Sequence, residues 1–328
     1  MRKITQLLLL ALASTVVAHA EECQLKRYGT VPFETDERAH IYVPVTIQGR
    51  KTRLQLDTGA YWSTIRRDLV EELKLPTHRS LDMELVDLSG EKMKDVAMAP
   101  ELVLGGLRYG ETEMFISNVD RSIPIEQEGG LLGQNMLQRM DLEIDNAGKT
   151  ISLFNQDHCK GGGVYWADEA VTLYYKKEPA VAELGTRLKR VNKNQIDLPI
   201  VLAEMEGEKV SVLFDTGATY TSIDLDVARR RFGITLETPG VKPAGQGYVA
   251  AGGLVDTYSY TIKSLTIAGI HFENVPIRLA KFDDSTQVLL GMNEMRHLRI
   301  YFAFGEGLVH VTAADATRSA EPQPQQGQ

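Results

Sequence analysis

Residues 40–57, HIYVPVTIQGRKTRLQLD, alternate apolar and polar side chains on both sides of Gln48-Gly49. Period-two alternation about a Gly-containing pair predicts a hairpin of two half-buried strands. The pattern returns in MELVDLSGEKMKDVAM (83–98), which turns at Ser89-Gly90. PELVLGGLRYGETEMFI (100–116) adds two short strands around Gly105-Gly106. Farther along, YVAAGGLVDTYSYTI (248–262) turns near Gly252-Gly253, and SLTIAGIHFENVPIRL (264–279) turns near Gly269. Helix is predicted only in short pieces: Arg67 to Leu73, Leu225 to Phe232, and one after each of Leu132-Gly133 and Leu290-Gly291. Many short strands separated by turn signals predict an all-β, barrel-like architecture with short helices. In the connecting region VTLYY (171–175) is strand-prone, whereas the tail ADATRSAEPQPQQGQ (314–328) has no core-forming pattern and is expected to be disordered.

One acidic residue breaks the hydrophobic pattern. In LQLDTGAYWSTI (54–65), Asp57 follows an apolar run directly, where an ionised group is costly. A strand ending in an Asp-Gly turn would account for it alone. The stretch recurs, however, as VLFDTGATYTSI (212–223), so that Asp57-Thr58-Gly59-Ala60 becomes Asp215-Thr216-Gly217-Ala218. GLLGQNML (130–137) and VLLGMNEM (288–295) form a second pair, and Gly133 precedes Gly291 by the same 158 residues that separate Asp57 from Asp215. Each half therefore carries Leu-Leu-Gly-x-Asn at a fixed distance behind its Asp. This is an internal duplication of a whole lobe. It divides the chain into a leader (1–20), a first lobe (21–160), a connector (161–194), a second lobe (195–313) and a tail (314–328).

Charge and termini narrow the picture. A formal net charge of −8 implies no general affinity for nucleic acid. MRKITQLLLLALASTVVAHA opens with Arg2 and Lys3, continues in a short apolar run and ends on Ala18-His19-Ala20, the pattern of a signal peptide cleaved after Ala20. No later run is long enough to span a bilayer, so the mature protein is expected in the periplasm or outside the cell, without membrane insertion. Cys23 and Cys159 are the two cysteines, and in an exported chain an even pair favours a disulfide. Scattered His and two Cys give no metal cluster, and no phosphate-binding loop or nucleophile elbow is present, so neither metal nor cofactor is expected.

On the paired Asp-Thr-Gly-Ala and Leu-Leu-Gly-x-Asn motifs, each half resembles a retropepsin-type aspartic protease domain, in the tandem form found among bacterial exported proteins. The resemblance covers roughly 40–155 and 196–311. It implies two similar retropepsin-like or pepsin-like lobes facing each other across a cleft, with Asp57 and Asp215 as one catalytic pair cleaving a peptide or protein substrate. It also implies that the Thr58 and Thr216 hydroxyls reach across to the opposite lobe. Gly59, Gly217, Ala60 and Ala218 would leave room beside the carboxylates. The turns at Ser89-Gly90 and Gly252-Gly253 are candidate flaps. One departure stands out. Viral members pair an Asp after this motif with an Arg after the second Gly. Tyr61 and Thr219, and Gln134 and Met292, occupy those places here, so viral interface and substrate contacts do not transfer. The linked lobes favour a monomer. The competing readings are a catalytically silent peptide-binding or scaffold protein, and lobes that pair between chains.

Overall fold

Each half folds around one recurring unit. In the first, strand Arg50–Leu56 delivers Asp57, and Gly130–Leu132 lies parallel beside it with Leu132 opposite Leu56. In the second, Glu208–Phe214 delivers Asp215, and Val288–Leu290 lies parallel beside it with Leu290 opposite Phe214. Parallel strands need a long crossover, and the rest of each lobe supplies it. The computed structural model describes residues 24–80, 85–86, 92–117, 124–156, 164–167, 170–174, 198–248, 254–281 and 288–316.

The predicted hairpins form. Ile41–Ile47 pairs antiparallel with Arg50–Leu56, and its inward residues Ile41, Val43, Val45 and Ile47 are buried. The connecting Gln48 and Gly49 both have positive φ, 47° and 81°. Two such residues in succession match the right-handed twist of the flanking strands. The second lobe repeats this at Ala268-Gly269, where the long strands Leu254–Ile267 and Ile270–Ala280 meet. Helices Arg67–Leu73 and Leu225–Phe232 follow the two motifs as predicted. The second is capped by Asp224, whose side chain accepts from the Asp226 and Val227 amides, and it ends at Gly233 with φ 64°. Short helices Gln134–Leu137 and Met292–Met295 follow the Leu-Leu-Gly segments. Among the described residues, no helix is long and apolar enough to cross a membrane.

Hydrophobic periodicity did not anticipate how the halves join. A six-stranded sheet takes Arg27–Pro32, Thr150–Phe154 and Asp141–Asp145 from the first half, then Leu298–Ala303 and Leu308–Ala313 from the second, and ends on Val171–Tyr174 of the connector. The seam is the antiparallel pair Asp141–Asp145 and Leu298–Ala303, where Ile144 faces Ile300. One face of this sheet continues the core shared by both lobes. Val164, Trp166 and Ala167 of the connector pack with Phe154, Tyr301 and Leu308 in a smaller cluster. Charge is buried at the seam. Glu143 is 1% exposed, and Arg299 donates to its Oε1 from Nε at 2.8 Å and Nη2 at 2.5 Å. Tyr165 donates to the other oxygen.

Some expectations fall on other residues. Strands Leu85–Val86 and Lys92–Met93 pair as the arms of the first candidate flap, and Lys242–Tyr248 pairs with Leu254–Ile267 as those of the second. The tips Ser89, Gly90, Gly252 and Gly253 lie outside the described residues, as do Cys23, Cys159, the leader and residues 317–328 of the tail.

The seam generates a test. Arg299→Met leaves Glu143 buried without its cation and should cost about 3 kcal/mol in urea unfolding. Adding Glu143→Gln should recover most of that loss, because the uncompensated charge, rather than the missing contact, is the larger cost.

Candidate active site

Backbone bonds set the position of each Asp. The Asp57 amide donates to Leu132 O at 3.0 Å, and the Asp215 amide donates to Leu290 O at 3.1 Å. These bonds explain the fixed spacing between the two motifs in each half. Behind them, Gln134 and Met292 donate their amides to Ala60 O and Ala218 O. A Cβ on Gly133 would lie 2.7 Å from the Trp62 carbonyl carbon, and one on Gly291 2.4 Å from that of Tyr220, so only glycine lets the turns close.

The two loops are bolted together by their threonines. Thr58 and Thr216 are fully buried. The Thr58 hydroxyl donates to Phe214 O at 2.6 Å, and the Thr216 hydroxyl donates to Leu56 O at 2.7 Å. Each hydroxyl also accepts the other's backbone amide, at 3.0 and 3.1 Å. Four bonds thus cross between the halves with all donors matched.

That lock brings Asp57 and Asp215 of one chain within hydrogen-bonding reach of each other. A Cβ on Gly59 would stand 2.5 Å from the Asp215 carboxyl carbon, and one on Gly217 2.5 Å from Asp57 Oδ2. Any side chain at either glycine would displace the opposite acid. Both residues are half-buried, and their carboxyl groups are enclosed by protein. Burial is the first cause that raises both above the ordinary carboxylate range, and Asp215 is pushed further because the Asp57 charge adds to it. Asp57 is the better-supported anion: its Oδ1 accepts from the Gly59 and Ala60 amides, both at 2.9 Å, and the His40 charge favours its ionised form. Asp215 Oδ1 accepts the Gly217 amide at 2.9 Å, and the Ala218 amide also favours its ionised form, against the opposing Asp57 charge. The titration belongs to the pair rather than to either residue.

Several supporting roles went unassigned in the sequence reading. Ser63 and Thr221 occupy equivalent positions, and their hydroxyls accept the Gly133 and Gly291 amides. Ser63 then donates to Asn135 Oδ1, whereas Thr221 donates to Glu294 rather than to the matching Asn293. Burial raises the Glu294 carboxyl above its usual value. His40 stands between lobes, with Nδ1 3.0 Å from Asp36 Oδ2 and Nε2 3.2 Å from the Thr219 hydroxyl of the second motif. The residue 158 positions on is Leu198, so this contact has no counterpart. A polar residue just before the first strand of the hairpin that ends at Asp57, with an apolar one in the repeat, was the available signal.

Two measurements follow. Thr58→Val removes a buried donor and strands the Thr216 amide and Phe214 carbonyl, and it should cost about 2–4 kcal/mol, with Thr58→Ser costing much less. Asp215→Asn addresses pH. A carboxyl whose folded value lies above its unfolded one binds more protons when folded, so its stabilisation is complete at acid pH and is lost as pH rises through the folded value. Urea midpoints should therefore show Asp215→Asn more stable than wild type near neutrality, with the gap closing towards pH 4 and below.

The geometry accords with sequence kinship. A search of curated proteins returns no match. The profile of the aspartyl protease family, by contrast, matches twice, at residues 43–136 and 201–293, together more than half of the chain. Each match begins in the strand before an Asp-delivering strand and ends in the short helix behind its loop. With the domain present in duplicate and its two Asp-Thr-Gly-Ala loops locked together, this chain belongs to the aspartyl protease family.

Proposed function

We propose that the protein is an aspartic endopeptidase with one catalytic pair, Asp57 and Asp215, supplied by a single chain. The supporting observation is the approach of two carboxyl groups at glycines that admit no side chain. Keeping two acids together at this cost makes sense where one proton is shared between them. Asp57, supported by two amides and by His40, takes a proton from a water held between the acids. That water attacks the scissile carbonyl, while protonated Asp215 donates to the oxygen that gains charge. As the tetrahedral intermediate collapses, the C–N bond breaks, the proton acquired by Asp57 passes to the leaving nitrogen, and one hydroxyl of the intermediate returns its proton to Asp215 as the carbonyl re-forms. No covalent intermediate forms. Thr58 and Thr216 keep the two acids in register, and the substrate lies in a cleft between the lobes.

The signal-peptide pattern of residues 1–20 supports a site of action in the periplasm or outside the cell, and the reading includes a Cys23–Cys159 disulfide formed there and a monomeric enzyme. Both acids remain in place, as turnover requires and mere peptide binding does not.

Peptide-library cleavage by purified protein tests the proposal. Asp57→Asn and Asp215→Asn should each lower kcat by about a thousandfold or more, and the double variant should lose little further, because the two act as a unit. Activity should be bell-shaped in the acid range and should fall on the basic side as the pair loses its shared proton. If either single variant kept about half the activity, each Asp would be working with its copy in another chain. Peptide binding without any cleavage would favour the scaffold reading.

A further inference from the structure

A further tie between the lobes reaches the second catalytic loop, and it is built from one side only. His40 directly precedes strand Ile41–Ile47 of the first lobe. Its Nδ1 lies 3.0 Å from Asp36 Oδ2, and its Nε2 lies 3.2 Å from the hydroxyl of Thr219, the residue after Asp215-Thr216-Gly217-Ala218. In the reciprocal direction the equivalent positions are Leu198 and Tyr61. A leucine side chain offers no hydrogen bond, so the tie has no twin.

The turn that presents His40 is closed on itself. Asp36 Oδ1 accepts the Arg38 and His40 amides at 2.9 and 2.8 Å. Asp36 O accepts the Ala39 amide at 3.0 Å, and the Asp36 amide donates to His40 O at 3.3 Å. Ala39 is left-handed, with φ 64°, an unfavourable conformation for a residue with a Cβ. A turn held against its own preference gives the ring a fixed place. A carboxylate on one ring nitrogen also orients the other. With its proton on Nδ1, the neutral ring accepts from the Thr219 hydroxyl; the charged ring donates to it. The hydroxyl rotates to suit either state, so the tie survives titration and only the charge changes.

Among the described residues, Asp36 on the same turn, Glu128 ahead of strand Gly130–Leu132, and Asp57 feel that charge. Thr219, the contact from the second lobe, carries none. Burial raises Glu128, while Arg66 and His40 draw it back. Burial raises Asp57 too, opposed by the Gly59 and Ala60 amides and by His40. Asp215 is raised by burial and then further by the Asp57 charge.

We propose that His40 is a positioning residue of the acid pair: held by Asp36, it ties the second loop at Thr219 and fixes Asp57, rather than Asp215, as the base. As an assignment of the base this rests on the peptidase reading above; as a device that makes the two acids unequal it does not.

The acids themselves report the effect. Aspartate labelled with ¹³C at Cγ follows both carboxyls in the full mature chain, leaves Glu128 silent, and is assigned with Asp57→Asn and Asp215→Asn. His40→Leu copies the second lobe, and His40→Gln has no charge but keeps an amide that reaches towards Thr219. Histidine carries its charge in acid, and losing a nearby cation disfavours an anion. The first deprotonation of the pair should therefore move up by about half a pH unit or more in both variants, and its loss from Asp57 should be shared more evenly with Asp215. In peptide cleavage the acid limb of kcat/KM should move up with it. At the best pH, His40→Leu should lower kcat by about tenfold with KM within about twofold, because His40 acts on the pair rather than on the peptide. His40→Gln should recover part of kcat without restoring the limb. Urea midpoints establish that each variant is folded; should His40→Leu fail to fold, His40→Gln carries the test. An unmoved titration of the pair in a folded variant overturns the proposal. A moved titration with no cleavage even by wild type leaves the unequal pair standing and removes the peptidase reading. Cleavage with an unmoved titration does the reverse.

Discussion

Two carboxyl groups that repel each other must be held together partly out of water, and much of the structure answers to that constraint. Burial raises both acids and the Asp57 charge raises Asp215 further, so the site is compatible with one proton between them rather than none. Holding them requires opposition from the rest of the chain. The crossed bonds of Thr58 and Thr216 supply the local lock, and the shared sheet through Asp141–Asp145 and Leu298–Ala303 supplies the distant one. Between these two attachments the lobes have little freedom to separate. Backbone amides aimed at the Asp oxygens offset part of the desolvation without adding charge.

Duplication gives near symmetry, and the departures from it carry information. Ser63 works through Asn135, while Thr221 works through Glu294. Arg66 is buried and paired with Asp68 where the second lobe places Asp224 as a helix cap. His40 reaches the Thr219 hydroxyl from one side only. Most of these differences preserve a support while changing its chemistry, as expected when two copies drift under one packing requirement. His40 is different in kind, because it places on one lobe a group that the other lacks. Tyr61 and Gln134 stand where related viral domains carry an ion pair. Removing both charges leaves no buried ion unpaired, and it frees Gln134 to brace the Asp57 loop through Thr58 O.

The hairpins, the two Asp-following helices and the internal repeat were legible in the sequence, whereas strands Arg27–Pro32, Asp141–Asp145, Thr150–Phe154, Leu298–Ala303 and Leu308–Ala313 of the shared sheet were not predicted. What was legible is written locally: alternation marks a half-buried strand, positive-φ glycines mark its turn, and an Asp at the end of an apolar run conflicts with burial unless something requires it. Because the conflict recurs with its Leu-Leu-Gly partner at constant spacing, the sequence by itself determined that two equivalent lobes exist and which residues form their candidate site. Only the tertiary structure decided that the two acids meet within one chain, that strands from both halves share a sheet, and that Glu294 rather than Asn293 braces the second loop. It alone buries Arg299 against Glu143 and leaves Trp62 and Gln134 each with an unused polar atom. The physical reason is separation along the chain. The Thr lock joins atoms 156 to 160 residues apart and the His40 contact spans 179, and no local period records which distant group will satisfy a given donor.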